Sequence, residues 1–196
     1  MAARGPYAKG LAKREEILDA ALELFASNGY DRTSVREIAR LTGLTQAGLL
    51  HHFSGKEELF VEVLRRRDRK SQAEFSNDFD RGRHTVDGLI SVVRHNAAEV
   101  GLVRLYVTMS AESTSEDSPA RDFFRARYDG LEAEVAADVR RKQTEGVLAP
   151  DLDPEAIASL LIAAADGLQI QWLLDPTGPD MAARLEGLWN ALLRVK

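Results

Sequence analysis

The chain has 196 residues, 44% of them hydrophobic, which is enough to bury one larger core or two small ones, and its formal net charge is -5. The absence of cysteine excludes disulfide scaffolds, thiolate zinc sites and cysteine nucleophiles, and fits a reducing cytoplasm. Met1 to Gly10 carries Arg4 and Lys9 without an apolar run behind them, which argues against a signal peptide; the longest apolar stretch, Leu160 to Leu174, is interrupted by Asp166, Gln169 and Gln171 and is not expected to span a membrane.

Nearly every segment has helical period, and no alternation of β-branched residues is long enough for a strand, so the fold class is all-α. A first helix is expected from about Lys9 to Asn28, with Ile17, Ala20, Ala21, Leu24 and Phe25 on one face and Gly29 as its stop. Ser34 and Glu37 have the spacing of a capping box and open a helix with Val35, Ile38, Ala39 and Leu41 that ends near Thr42; Gly43 supplies a turn. Thr45 caps a short helix from Gln46 to about His52, and Ser54 with Glu57 repeats the capping box ahead of a long helix carrying Leu59, Phe60, Val63 and Leu64. Two short helices joined through one glycine and set between longer ones have the anatomy of a helix-turn-helix.

Farther along, Thr85 caps a helix with Val86, Leu89, Ile90 and Val93, and Ser118-Pro119 precedes one with Phe124, Tyr128, Leu131 and Val135. An acidic loop, Ser110 to Asp117, lies between them. Asp153-Pro154 starts a helix reaching Leu174, and a last one carries Met181, Leu185, Leu188, Trp189 and Leu192, for about nine helices in total. The expected organisation is a DNA-binding head over residues 1–55 and a larger helical domain over 56–196, with the Lys56 helix connecting them. Charge follows this division: residues 1–70 hold 13 Lys and Arg against 10 Asp and Glu, a balance of +3, which leaves -8 for the remainder. A basic head on an acidic body suits a chain whose head alone meets a polyanion.

The run Thr33-Ser34-Val35-Arg36-Glu37-Ile38-Ala39, followed by Thr42-Gly43-Leu44-Thr45-Gln46-Ala47-Gly48-Leu49-Leu50-His51-His52-Phe53-Ser54-Gly55-Lys56-Glu57-Glu58-Leu59, closely resembles the DNA-binding signature of the TetR family of regulators. The segment Asp166-Gly167-Leu168-Gln169 with Asp175-Pro176 resembles C-terminal domains of that family. The resemblance implies a recognition helix whose small first turn, Thr45, Gln46, Ala47 and Gly48, enters the major groove. Gln46 is suited to an adenine edge, and Arg36, at a family position that reaches bases from the preceding helix, to guanine. Thr45 and Lys56 are placed for phosphate, through a hydroxyl, backbone N–H groups and an ammonium. Leu50 stands where the family usually has tyrosine and cannot donate to phosphate, so His51 and His52 are the candidates for those backbone contacts. Phe53 is expected to fill the head's core, and the run Arg65 to Lys70 to be a solvated helix face.

No nucleophile elbow, phosphate loop or HExxH pair appears, so no catalytic residue, metal or cofactor is expected and the chain is not read as an enzyme. The resemblance implies a ligand cavity in the body, for which Asn96, Tyr106, Met109, Phe124, Tyr128, Gln169 and Trp172 are the candidates. From Ile157 to Trp172 apolar residues cover nearly the whole helix circumference, which requires burial on all sides. With the last helix this suggests a two-fold four-helix interface made by Leu160, Ala163, Ala164, Gly167, Leu185, Leu188, Trp189 and Leu192, the alternative being a central core helix in a monomer. The expected function is a cytoplasmic homodimeric regulator on a palindromic operator in double-stranded DNA, released by a small-molecule effector. Repression is what the resemblance implies; the alternatives are an activator of the same fold and a helical interaction adaptor without specific DNA binding.

Overall fold

A computed structural model describes residues 6–74, 85–178 and 180–193. Among them lie nine helices and no strand, in the order α1 (Pro6–Asn28), α2 (Val35–Leu41), α3 (Gln46–Leu50), α4 (Lys56–Glu74), α5 (Val86–Asn96), α6 (Val100–Glu112), α7 (Arg121–Thr144), α8 (Pro154–Leu174) and α9 (Met181–Leu193). The chain is all-α, as its periodicity requires. Arg4 lies outside the described residues.

Local chemistry sets most of these boundaries. Gly29 stops α1 at a φ of 82° and donates to the Phe25 carbonyl (3.0 Å); Gly43 turns the chain after α2 at 66°, a region that side chains with a Cβ rarely occupy. At the N-termini, Ser34 accepts from Glu37 N (3.1 Å), Thr45 from Gly48 N (3.0 Å) and Thr85 from Gly88 N (3.0 Å). Asp153 accepts from Glu155 N (3.0 Å) and Ala156 N (3.3 Å), with Pro154 as the first helical residue.

The expected elements are corrected in four places. The expected Ser54 and Glu57 capping box is replaced at the start of α4, where Gly55 directly precedes the helix and the Glu58 carboxylate accepts from Ser54 N at 2.6 Å. That hydrogen bond, more than the nearby Arg14 and Arg65, holds the Glu58 carboxyl below its usual range. α3 ends at Leu50, two residues early. Residues 86–112 are broken into α5 and α6 at Ala97 to Glu99, and α6 runs into the segment expected as loop, to Glu112. Finally, α7 starts at Arg121, beyond Ser118-Pro119.

Packing divides the chain into two units, one of Met1–Asp68 with Arg104–Arg121 and one of Arg69–Val103 with Asp122–Lys196. In the first, α2 packs against α1 and α3. Ile17, Phe25, Ile38, Leu49, Phe53 and Phe60 are buried there, so Phe53 fills the head's core as expected. Phe60 meets Phe25 edge-on with ring centroids 5.2 Å apart, and Tyr30 at 5.0 Å.

In the second unit α9 packs against α5 and α8, and one core joins Val86, Ile90 and Val93 to Val135 and Val139 of α7, to Ile157, Leu161 and Ala165 of α8, and to Leu185 and Trp189 of α9. Buried Asp138 accepts from Val86 N at 3.0 Å and pairs with Arg141, which satisfies a free donor at the start of α5. By length and composition α8 is apolar enough to cross a membrane, with mean hydropathy 1.5 over an 18-residue window, despite its interrupting Asp and Gln. Its Ile157, Ala158, Leu161 and Ala165 nevertheless sit in this core, which is the setting of a core helix.

Candidate nucleic-acid interface

The caps on Ser34 and Thr45 and the turn at Gly43 set α2 and α3 against each other, and buried Leu49 anchors α3 from behind. Thr45, Gln46 and Ala47 are left exposed on the first turn of α3, with Leu50 and His51 exposed at its end and Arg36 exposed on α2. Gly48 keeps room for the Thr45 cap, since a Cβ there would lie 3.3 Å from the Thr45 hydroxyl oxygen. His52 and Lys56 are part-buried. The His51 and His52 rings stand 5.9 Å apart at 73°, and among the described residues no three His, Asp or Glu side chains gather as a metal site would require.

Most cations of the head are engaged within it. Lys56 Nζ donates to the Tyr30 carbonyl at 2.9 Å and the Asp31 carbonyl at 3.4 Å, and stands 4.1 Å from the centre of the Tyr30 ring. Burial, together with the carboxylates of Glu57, Asp31 and Glu112, pushes the Tyr30 phenol up to about 12, so it stays neutral. Lys13 Nζ donates to the Thr42 carbonyl at the end of α2 (2.6 Å). Arg14 donates to the His52 carbonyl (2.6 Å) and pairs with Glu62 (3.3 Å). In the basic run of α4, Arg65 pairs with Glu62 at 2.9 Å, and Arg66 with Glu15 at 3.0 Å and with Asp19, while the side chains of Arg67, Asp68 and Lys70 lie outside the described ones. Arg36 and Gln46 differ: neither side chain has a hydrogen-bond or ion-pair partner among the described residues.

Of the sensing candidates, Asn96 and Gln169 are buried and linked, Asn96 Nδ2 donating to Gln169 Oε1 at 3.5 Å. Gln169 Nε2 also donates to Asp166 (3.4 Å), and Tyr128 Oη donates to the same carboxylate at 2.6 Å, with the Phe124 ring 6.3 Å from that of Tyr128. Asp166 is therefore the centre of a polar chain across α5, α7 and α8, although in the sequence it reads as a break in an apolar run and as part of a family-like segment, not as a site residue. The available signal was an acid in the middle of an apolar helix, which needs partners to be tolerated. Tyr106 and Met109 are buried and belong by packing to the first unit. Trp172 instead borders a groove of about 200 Å³ with Leu168, Gln171, Asp175 and Arg184.

The candidate pairing face is redrawn by burial. Leu185 and Trp189 are 0% and 2% exposed, their side chains being committed to the protomer's own core, and Leu192 packs partly against it. Leu160 (63%), Leu188 (42%) and Ala163 are exposed, as are Ile170 (48%) and Leu174 (83%), while Ala164 and Gly167 are half-buried. One side of α8 is thus covered by the protomer's own core, and the other, with Leu160, Ala163 and Ile170, is bare.

Comparison with known proteins agrees with this geometry. Residues 17–63 match the family model described as "Bacterial regulatory proteins, tetR family", and residues 80–194 match "BetI-type transcriptional repressor, C-terminal". The chain is 25% identical over 189 residues to the A-factor receptor protein of Streptomyces griseus, covering 95% of itself and only 64% of that protein's length. It is 27% identical over 170 residues to the HTH-type transcriptional regulator UidR of Escherichia coli K12, covering 86% of this chain and 84% of UidR. In fold it is similar to a TetR-family transcriptional regulator from Rhodococcus sp., with a TM-score of 0.78, 21% identity, and 93% and 99% of the two chains covered.

Proposed function

The chain belongs to the TetR family of transcriptional regulators, and from that premise we propose that it is a repressor that binds a palindromic operator as a homodimer and leaves it when a small-molecule effector binds. The family consists of DNA-binding regulators rather than enzymes. The observation that carries the reading is the exposed, low-bulk first turn of α3, with Arg36 exposed on α2 and without a partner among the described residues. The match of residues 80–194 to a repressor family supports repression over activation. A relative that is by name a receptor supports effector control, with the Asn96, Gln169 and Tyr128 chain and buried Phe124 of the second unit as contacts, and Trp172 as an outlying one. The bare apolar side of α8, with Leu188 of α9, supports pairing through a four-helix arrangement. Membership of a family of bacterial DNA-binding regulators supports a cytoplasmic location.

In this reading the effector biases an equilibrium between conformations that space the two heads differently, of which one fits two half-sites on one face of DNA. Selection of duplexes from a random-sequence pool by the intact chain is expected to recover an inverted repeat. A recovered set without two-fold symmetry would overturn the dimeric operator.

Lys56 is proposed to trade its two carbonyl partners for a phosphate oxygen, because an ion pair is a stronger attraction than an ion–dipole contact. Lys56→Ala is then expected to weaken the selected duplex and a scrambled one by similar factors and to reduce the salt slope by about one contact per head. An unchanged slope would leave Lys56 as a clamp on the end of α1 and nothing more.

A further inference from the structure

The orientation of a recognition helix with only one buried side chain must be fixed from elsewhere, since α3 spans Gln46–Leu50 and Leu49 is its sole buried residue. Its carbonyl end carries unsatisfied acceptors that a cation can close. Arg14, far away on α1, meets the chain just past this end: its Nη1 donates to the His52 carbonyl at 2.6 Å, one residue beyond the C-cap His51, and its guanidinium lies 4.0 Å from the centre of the Phe53 ring. The other side of the same group faces α4, with Nη2 at 3.3 Å from Glu62 and 4.0 Å from Glu58. Glu58 in turn accepts from Ser54 N at the start of α4. One planar cation therefore ties α1, the end of α3 and the start of α4 together at the junction His52 to Lys56.

We propose that Arg14 is a positioning residue for DNA reading, which sets the angle at which α3 presents Gln46 without itself touching DNA. The inference rests on the DNA-reading function proposed above. Its charge is matched by Glu62 and Glu58, so it has little left to offer phosphate, unlike Lys56, whose hydrogen-bond partners are neutral carbonyls. Glu62 stays ionised as a partner for this cation, since burial works against its charge but hydrogen bonds from Arg65 and Arg14 outweigh that and hold its carboxyl below the usual range. Lysine is no equal substitute at position 14, because it keeps a donor for the carbonyl but has no planar fork to stack on Phe53 and reach Glu62 together.

The test uses the full-length chain and a duplex that the wild-type protein selects from a random pool, with a scrambled duplex as reference, at two salt concentrations and at a temperature where circular dichroism shows the variant folded. Arg14→Met is expected to lower the ratio of selected to scrambled affinity by about tenfold, the discrimination carried by one base contact, with scrambled-duplex affinity and salt slope unchanged. Parallel weakening of both duplexes with a shallower slope would make Arg14 a phosphate contact. A lower melting temperature with unchanged discrimination would make it structural only; either result overturns the proposal. If Arg14→Met does not fold, Arg14→Lys carries the test, with a discrimination loss of about threefold expected and wild-type discrimination overturning it. Failure of the wild-type chain to select any sequence would instead strike the DNA-reading premise.

Discussion

Leu160→Glu combined with Leu188→Glu is expected to leave each protomer folded and to abolish the dimer. Leu160 is 63% and Leu188 42% exposed in the protomer and neither belongs to its buried core, so their replacement removes little from it. In a two-fold interface each would be buried twice, and four carboxylates would enter an apolar seam without partners. At a net cost of roughly 1.5 kcal/mol per site after partial hydration, the dissociation constant rises by about four orders of magnitude. Sedimentation equilibrium at micromolar concentration should report monomers, with helix content by circular dichroism near wild type. A dimer mass for the double variant would remove this face from the proposal. Leu185→Glu is the informative contrast: its side chain is fully buried in the protomer, so unfolding rather than clean dissociation is expected. Monomers should also bind operator far more weakly, since a dimer engages its second half-site at high effective concentration.

That contrast also shows what periodicity can and cannot supply. With about 100° per residue, Leu185, Trp189 and Leu192 share an arc of α9 and Leu188 lies on its edge, so the apolar stripe is readable from spacing. Which neighbour the stripe faces is not encoded locally: Leu185 and Trp189 meet α5, α7 and α8 of their own chain, and only the edge residue is left bare. The caps behave oppositely. Ser34, Thr45, Thr85 and Asp153 act within three residues of themselves, and the structure places each where the sequence pattern indicates. Glu58 takes the partner expected of Glu57 because the two differ by one step of rotation, which a spacing rule does not resolve. The break between α5 and α6 at Ala97 to Glu99 carries no Gly or Pro to announce it. Arg14 reaches a carbonyl 38 residues away and Lys56 one 26 residues away, so the network that orients α3 is a property of the folded head. The exposed candidates for base reading, Arg36 and Gln46, are by contrast legible from the ordered motif.

Arg36→Ala and Gln46→Ala are expected to cost base discrimination rather than affinity in general. Among the head's basic side chains, Lys13, Arg14, Lys56, Arg65 and Arg66 are held by carbonyls or carboxylates, whereas Arg36, like Arg40, stands exposed on α2 without such a partner among the described residues, and of these two it is Arg36 that the family resemblance puts at a base-reaching position. The planar guanidinium of Arg36 would therefore meet DNA with no internal bond to break, as would the carboxamide of Gln46 at the exposed start of α3. A bidentate contact to a base edge is worth about 1–3 kcal/mol, and two-fold symmetry doubles it to about 2–6 kcal/mol per operator. Each variant should thus lose preference at one symmetric pair of positions, while a scrambled duplex is bound nearly as before, because non-specific binding depends on phosphate contacts. Leu50, exposed where a tyrosine would donate to phosphate, supplies no compensating hydrogen bond, which makes the assembled contacts of α2 and α3 more dependent on these two side chains. The measurement is titration of the selected palindrome and its point variants at two salt concentrations. If both alanine variants kept every base preference of the wild type, α3 would not be the reading helix, and the exposed turn from Thr45 to Ala47 would be ordinary surface.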